Sequence, residues 1–303
     1  MKQVIYVAAL TFHRPEGLAR LLSALSLQER PDDAEVRFLI VDNDAAGSAR
    51  PTVDAARPRF GPARLDYVIE SEPGIPMGRN CALNEAIASG GDLLCFTDDD
   101  AWPDPRWLRT LVDCYRESGA VLVFGPHFLL PLAVTESLWK RFLARSLAAK
   151  SKFIARFAAW HGRRGRIVTS GTYNCLINLK WIQHHDVEFD PSFAKGGGED
   201  SAFREVAAGK GAKLAWSPGA VVYEELPLER ISLRYQFQRS RMQGINASAL
   251  NRPGRPAILR HPIGRLLVGI GLIIVPVLGT ASFSLGLHMV GMAVGIFQTK
   301  RAQ

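Results

Sequence analysis

Short apolar runs alternate with amphipathic segments along the first 125 residues of this 303-residue chain. The runs are rich in Val, Ile and Leu, as is typical of strands buried on both faces of a parallel sheet. The segments between them repeat Leu at spacings of three and four residues, which is typical of helices with one buried face. We therefore predict strands at residues 4–10, 36–41, 65–69, 93–96 and 120–124, and helices at 16–28, 79–89 and 105–118.

This alternation predicts an α/β fold with a mostly parallel sheet and right-handed crossovers. Polar residues follow three of the predicted strands at their carboxyl ends, namely Thr11, Asp42 and the run Asp98, Asp99 and Asp100. Ligands of open α/β sheets bind outside the carboxyl ends of the strands. We therefore expect these side chains, although distant in sequence, to line one cleft.

Three consecutive aspartates at one strand end repel one another, so their charge needs an offset. A divalent cation provides one, and carboxylate oxygens suit hard ions such as Mg²⁺ or Mn²⁺, which favour phosphate partners. The three aspartates are therefore candidate metal ligands. The alternative interpretation is a solvated acidic turn before the helix that starts near Pro105.

The alternation weakens after residue 125. Strands are predicted at 173–179, 213–216 and 220–223, and helices at 135–160, 201–208 and 230–251. Glu199 and Asp200 follow three glycines, which let a loop move and approach a ligand. A carboxylate at this place can act as a general base, or it can simply favour the helix N-terminus that follows.

Three arginines have two interpretations each. Arg79, at a predicted helix start, contacts a phosphate or a base in one interpretation and caps the helix in the other. Arg239 and Arg241, in the helix predicted at 230–251, neutralise a leaving diphosphate or face water.

The net charge of +8 is concentrated in one segment. Residues 140–166 hold nine Lys and Arg and no Asp or Glu, and the rest of the chain has a balance of −1. The helix predicted near 137–160 has Trp, Phe and Leu opposite its cations, which suits an anionic membrane surface. The alternative is a helix packed on the sheet with a solvated basic face. No nucleic-acid motif is present, so a nucleic-acid partner is disfavoured.

The last apolar stretch, residues 266–297, has no Asp, Glu, Lys or Arg. As one helix it would measure ~48 Å, against a bilayer hydrocarbon core of ~30 Å. Pro276 and Gly279 favour a break near its middle, which predicts a helical hairpin that dips into the membrane. Gly291 and Gly295 are predicted to let the two arms approach closely. A single tilted span over 266–285 and a soluble buried hairpin are the alternatives.

The flanks of this stretch predict its orientation. Cations on both sides suggest that both ends stay in the cytoplasm: Arg255, Arg260 and Arg265 before it, and Lys300 and Arg301 after it. The four cysteines show no C-x-x-C spacing, and the N-terminus lacks a signal-peptide pattern, so we expect a reducing compartment.

Five segments, in this order and spacing, resemble motifs of inverting glycosyltransferases of family 2, which have the GT-A fold: residues 7–15, 41–43, 78–84, 97–100 and 198–200. The resemblance covers about residues 4–241. It departs from the family at His13, where Asn is commoner, and at Gly78 and Ala82 in the segment similar to A-R-N-x-G. Residues 238–242 resemble the Q-x-x-R-W motif of processive members, with Met242 in place of Trp, so we expect transfer of single sugars.

The resemblance implies a metal-dependent enzyme that moves a sugar from a nucleotide sugar, most often UDP-linked, to an acceptor. It implies a GT-A domain at 1–252, with a nucleotide-binding half at 1–125 and an acceptor half at 126–252, and a membrane-associated segment at 253–303. A lipid-linked glycan acceptor at the cytoplasmic face of the bacterial inner membrane fits this organisation, as in exopolysaccharide enzymes of the succinoglycan type. The implied roles are nucleotide-sugar binding by Thr11, Arg14, Asp42, Arg79, Asp98, Asp99, Arg239 and Arg241, Mg²⁺ or Mn²⁺ binding by Asp98 and Asp100, and acceptor deprotonation by Asp200 with Glu199 as neighbour or alternate.

Two other functions fit parts of the pattern. A nucleotidyltransferase uses a similar sheet and metal, but it usually has a glycine-rich basic loop after its first strand, and residues 11–15 contain no glycine. A non-catalytic, membrane-associated nucleotide-sugar-binding protein is disfavoured because both acidic motifs are intact.

Overall fold

A computed structural model describes residues 2–131, 137–162, 171–194, 197–249, 261–274 and 280–302. Several residues discussed above lie outside the described residues: Arg163, Arg164, Arg166, Arg255, Arg260, Pro276 and Gly279. The chain forms two compact units. The first comprises Met1–His127, Ala155–Lys195 and Glu199–Glu224, and the second Phe128–Ile154, Gly196–Gly198 and Glu225–Gln303.

The strands, in chain order, are β1 (Gln3–Thr11), β2 (Ala34–Asp42), β3 (Arg64–Ile69), β4 (Leu93–Asp98), β5 (Ala101–Pro103), β6 (Leu122–Phe124), β7 (His127–Pro131), β8 (Asn174–Asn178), β9 (Leu214–Trp216) and β10 (Val222–Leu226). The helices are α1 (Pro15–Ser26), α2 (Arg50–Ala56), α3 (Ile75–Ala88), α4 (Trp107–Ser118), α5 (Leu138–Gly162), α6 (Leu179–His184), α7 (Glu199–Gly209), α8 (Leu233–Ala249), α9 (Pro262–Ile274) and α10 (Thr280–Ala302). Short 3-10 helices cover Arg57–Phe60, Pro191–Phe193 and Leu228–Arg230.

The first unit is built on a seven-stranded sheet in the order β3-β2-β1-β4-β8-β6-β9. A smaller three-stranded sheet has the order β5-β10-β7. Strands β1, β2, β3 and β4 pair in parallel, as do β6 and β9, whereas β8 runs antiparallel to both β4 and β6. The predicted α/β class and mostly parallel sheet are therefore confirmed, with one reversed strand that the sequence pattern did not predict.

Apolar side chains cover both faces of the large sheet, which explains the unbroken apolar runs of its central strands. On one face, α1 packs with α2 and α4 and contributes the leucines at 18, 21, 22 and 25 to one core cluster. On the other face, α3 contributes Ala82, Leu83 and Ala86 to a second cluster, together with residues of α6 and α7. This two-sided burial fixes the carboxyl ends of β1, β2 and β4 along one sheet edge.

The start of α3 differs from the prediction. The helix begins at Ile75 instead of Arg79, because Pro76 is compatible with a first helical turn and Gly74, with φ of 138°, precedes it. Arg79 therefore lies in the second turn of α3. Strands β5 and β7 and helix α6 were not predicted from the sequence.

The second unit contains a helical hairpin. Helices α9 and α10 pack against each other, and a Cβ added to Gly269 would come within 2.9 Å of the Gly286 carbonyl oxygen. The prediction that Gly291 and Gly295 bring the hairpin arms together was wrong. Added side-chain atoms there would collide with α8, at Ser240 and at the Arg241 carbonyl respectively, so these glycines seat α10 against α8.

Trp107 provides a test of the first unit's core. Its ring is fully buried, and its indole N–H donates to Asn174 Oδ1 at 2.8 Å. Trp107→Phe leaves a void and an unpaired buried oxygen, so we expect a loss of about 2–4 kcal/mol of unfolding free energy. Urea denaturation followed by circular dichroism measures it. Trp160→Phe, at a half-exposed ring, is the control, and equal effects of the two substitutions would contradict the assignment.

Candidate active site

The acidic turn lies at the shared carboxyl edge of β1 and β4. Leu10 and Asp98 are neighbours in the parallel pair, so Thr11 and Asp99 both follow at this edge. The Thr11 hydroxyl donates to Asp99 Oδ2 at 2.8 Å. Arg14, immediately before α1, donates to Asp99 Oδ1 at 3.0 Å and to Asp100 Oδ2 at 2.9 Å. Of the side chains predicted to line one cleft, Thr11 thus lies against the acidic turn, and Arg14 offsets two of its three negative charges.

Among the three aspartates of the acidic turn, Asp98 is the one whose negative charge is least offset by a nearby cation. Solvent reaches 42% of its side chain, and neighbouring protein atoms bury the rest. This partial burial raises the pKa of Asp98 to about 7, helped by repulsion from Asp100, Asp200 and Asp99 and opposed by Arg79. Asp98 is therefore a partly exposed carboxyl group beside three other acids, and this concentration of negative charge favours a bound cation.

Arg79 connects the acidic turn to the second acidic pair. Its side chain is buried, and it donates to Glu199 Oε1 at 2.8 Å and to Asp200 Oδ1. Its other terminal nitrogen lies 3.9 Å from Asp98 Oδ1. Although burial opposes the charged form, these carboxylates raise the pKa of Arg79 above its ordinary value. The guanidinium of Arg79 therefore contacts carboxylates from both β4 and α7.

The two acids at the start of α7 have different environments. Glu199 is buried, and its Oε2 has no hydrogen-bond partner among the described residues. Burial and the adjacent Asp200 raise the pKa of Glu199, against the effect of Arg79. The Asp200 side chain is 23% exposed, and both of its hydrogen bonds within the described part of the chain, from Arg79 and Thr172, use Oδ1. Each acid thus has one oxygen that accepts no bond from the described residues, but only Asp200 presents its oxygen on a partly exposed side chain.

Asp42 organises the loop after β2. It is fully buried, and its Oδ2 accepts from the Tyr67 hydroxyl at 2.7 Å and from the Ala49 amide at 2.8 Å. Nearby, His13 Nδ1 lies 3.7 Å from Asp44 Oδ2, and His13 has a φ of 54°. Asn and His tolerate this left-handed region better than most residues, which explains why His replaces Asn here. The contact of Asp42 with a nucleoside stays a prediction.

Arg239 and Arg241 lie on α8, in the second unit. Arg239 is exposed, and Arg241 donates to Gln298 Oε1 at 3.1 Å. Their contact with a diphosphate stays a prediction.

Sequence reasoning missed Thr172, the hydroxyl donor to Asp200, and Phe189, whose ring centroid lies 5.5 Å from the guanidinium carbon of Arg79. Thr172 belongs to the stretch 126–172, where no regular pattern pointed to a site. Phe189 lies in a segment that the sequence predicted only as a turn.

The donor set at the acidic turn fits a hard cation. No group of three His, Cys, Asp or Glu side chains arranged for a metal occurs among the residues that the structure describes. However, Mg²⁺ commonly takes only one or two carboxylates from the protein and its other ligands from substrate phosphates and water. Asp98 and Asp100 match that mode of binding, because they offer two neighbouring carboxylates whose side chains are partly exposed.

The sheet order, the acidic turn after β4 and the acidic pair that opens α7 define a glycosyltransferase of the GT-A type. The chain belongs to glycosyltransferase family 2, since the model of "Glycosyl transferase family 2" matches residues 6–171. It is 33% identical over 238 residues to "Succinoglycan biosynthesis protein ExoM" of Rhizobium meliloti (strain 1021), covering 78% of this chain and 71% of that protein.

Solved structures share the fold at low identity. The mannosyltransferase PcManGT from Pyrobaculum calidifontis, in complex with GDP-Man and Mn²⁺, is similar with a TM-score of 0.65 and 16% identity, over 99% of this chain and 88% of that one. S. aureus TarS 1-349 in complex with UDP is similar with a TM-score of 0.51 and 13% identity, over 100% and 92% of the two chains.

The Arg79 cluster predicts a measurable coupling. Arg79→Met leaves Glu199 and Asp200 buried without their cation, so we expect a loss of about 3–5 kcal/mol of stability. Adding Glu199→Gln removes one of the uncompensated charges and should recover part of that loss. A double-mutant cycle by urea denaturation measures the coupling, which we expect to exceed about 1 kcal/mol. Arg106→Met, at a side chain that is 72% exposed, is the control. Strictly additive effects of Arg79→Met and Glu199→Gln would contradict the cluster.

Proposed function

We propose that this glycosyltransferase moves a single sugar from a nucleotide sugar, UDP-linked, to a lipid-linked glycan acceptor with inversion at the anomeric carbon. The acceptor and the cytoplasmic face of the bacterial inner membrane are proposed because the relative ExoM is named for succinoglycan biosynthesis. The donor class is proposed because the structural neighbours were solved with UDP and with GDP-Man.

One observation supports the proposal more than any other. Arg79 gathers Asp98, from the strand edge where nucleotide ligands of α/β folds bind, and Asp200, from the start of α7. The residue that would face the donor and the residue that would face the acceptor are therefore separated by one guanidinium group. A transferase needs this proximity, because it must hold both substrates in reacting geometry.

On the donor side, Thr11, Arg14 and Asp99 would form the wall that contacts the nucleotide. Asp98 and Asp100 would hold Mg²⁺ or Mn²⁺, which would stabilise negative charge on the diphosphate leaving group. Arg14 already links Asp99 and Asp100, so it would keep both carboxylates oriented before the donor binds. Preorganised charges of this kind lower the barrier because they need no rearrangement during the reaction.

On the acceptor side, Asp200 would take the proton from the acceptor hydroxyl. Arg79 and Thr172 hold its Oδ1, which leaves Oδ2 for the hydroxyl. The oxygen would then attack the anomeric carbon opposite the diphosphate, which inverts the configuration. Glu199 would act as a buried neighbour that keeps Arg79 in place, since its own Oε1 bonds that guanidinium.

A donor screen tests this function directly. Purified full-length protein is mixed with separate nucleotide sugars, with Mg²⁺ or Mn²⁺, and with a membrane extract that supplies lipid-linked acceptors, and release of nucleoside diphosphate is measured. We expect release with one UDP-sugar, and its loss when the metal is chelated. Release that persists with chelator would contradict the metal proposal. Release of inorganic diphosphate from a nucleoside triphosphate would favour a nucleotidyltransferase.

Asp200→Asn tests the proposed base. Loss of a general base typically costs 10²–10⁴-fold in rate, so we expect a fall in kcat of that order with little change in the KM for the donor. Asp32→Asn, at a carboxylate that is 98% exposed, is the matched control with unchanged kinetics. A variant at residue 200 as active as the unsubstituted enzyme would contradict the assignment of Asp200 as the base, whereas no release from any donor by the unsubstituted protein would favour the alternative of a non-catalytic nucleotide-sugar-binding protein.

A further inference from the structure

The two units differ sharply in charge. The second unit holds fifteen Lys and Arg against three Asp and Glu, a balance of +12, so the rest of the chain is at −4. The last 73 residues contain no Asp or Glu at all. Five of the nine cations at residues 140–166 belong to this unit, and its other ten lie within residues 230–301. Such an imbalance favours a polyanionic partner surface.

Helix α9 of this unit presents an apolar stripe to solvent. Ile263, Leu267, Ile270 and Ile274 recur at helical spacing, and they are 50%, 62%, 42% and 71% exposed. The opposite side of the helix is buried, with Arg265 donating to Met292 Sδ at 3.6 Å on α10. Four large aliphatic side chains aligned on one exposed face need an apolar environment to cover them.

Helix α10 is, within the described residues, the one long and apolar enough to cross a membrane, over Thr280–Thr299. Its neighbours argue against that role. From Ala281 to Phe297 every side chain is buried or half-buried. Ser284 bonds Ser146 of α5 at 2.7 Å, and His288 bonds Ser240 of α8 at 3.2 Å.

Helix α8 packs along α10 closely enough for glycines to be required at the contact. It also carries the exposed side chains of Arg234 and Arg239. If α10 spanned a bilayer, these cations would enter the hydrocarbon core, which is costly.

Helix α5 places aromatic and cationic residues beside this hairpin. Trp139 is 48% exposed, and its ring lies 5.7 Å from Phe283 of α10. Leu138 beside it is 76% exposed. Arg141 and Arg145 follow on the same helix, and both are exposed. Tryptophan next to cations is typical of segments at the boundary between lipid headgroups and acyl chains.

We propose that the second unit docks on an anionic lipid bilayer through α9, which lies in the plane of the membrane with its stripe in the acyl boundary, while α10 stays inside the protein as a core helix. A 13-residue helix is ~20 Å long, too short to cross a hydrocarbon core of ~30 Å. The isoleucine and leucine stripe gives no reason for a nucleic-acid partner, whereas a bilayer accommodates both the stripe and the cations. This inference rests on the membrane location in the proposed function and specifies how the protein would bind there. Its test measures membrane binding and does not require transferase activity.

Vesicle co-sedimentation of the full-length protein tests it. Vesicles of phosphatidylcholine with and without phosphatidylglycerol are compared at low and high salt. We expect strong binding to the anionic vesicles, and at least about a tenfold weaker binding for the double variant Leu267→Asp/Ile270→Asp, because two aliphatic side chains that would enter the acyl boundary are lost. Leu27→Asp is the control, since Leu27 is a leucine of the first unit that is 72% exposed and lies outside the stripe. Thermal melting confirms that each variant is folded.

Two further arms separate the contributions. Arg141→Gln/Arg145→Gln should weaken binding to anionic vesicles several-fold, and leave binding to neutral vesicles unchanged. Alkaline washing should release the bound protein, as for a helix that lies in the interface. Binding by the α9 double variant equal to that of Leu27→Asp, retention after alkaline washing, or tighter binding to duplex DNA than to vesicles would each overturn the proposal. Absence of transferase activity would leave these results unaffected.

Discussion

The buried guanidinium of Arg79 is the interaction on which the site depends. Three carboxylates converge on it from β4 and α7, and the ring of Phe189 covers it. Without that cation, the acids at residues 98, 199 and 200 would repel one another in surroundings that already disfavour charge. With it, Asp98 at the carboxyl end of β4 and the acids at the start of α7 are held close together. The positive charge of Arg79 therefore allows three carboxylates to lie close together in the site.

The fold was largely predictable because burial on two faces imposes a simple pattern. Strands β1, β2 and β4 each contain an unbroken apolar run, and α1 repeats its leucines on one side, so period and length alone identify them. The reversed strand β8 and the short strands β5 and β7 were not predictable in the same way. The local sequence of residues 174–178 does not indicate whether this strand runs parallel or antiparallel to its neighbours. Strands of three to five residues are too short to show a hydrophobic period.

The candidate site was predictable in its residues and less so in its contacts. Acidic runs at strand ends are visible in the sequence, and in the structure Thr11 bonds Asp99 while Arg14 bonds Asp99 and Asp100. For Arg79 the sequence suggested a ligand contact or a helix cap; the structure shows its bonds to the protein's own acids, and its contact with a nucleotide sugar stays a prediction. No spacing rule links residue 79 with residues 199 and 200, because their contact is set by how α3 and α7 pack on the sheet. Likewise, the small-residue pair at 291 and 295 was recognised, and its partner helix was not.

The seam between α8 and α10 has a practical consequence. At Gly291 and Gly295 the two backbones touch, and Ser284 and His288 of α10 bond serines of α5 and α8. Helix α10 is therefore a core helix of its unit and differs from a membrane anchor that can be removed without loss of the fold. Removing α10 to improve solubility would expose the faces of α5, α8 and α9 that pack on it. These newly exposed apolar surfaces would promote aggregation.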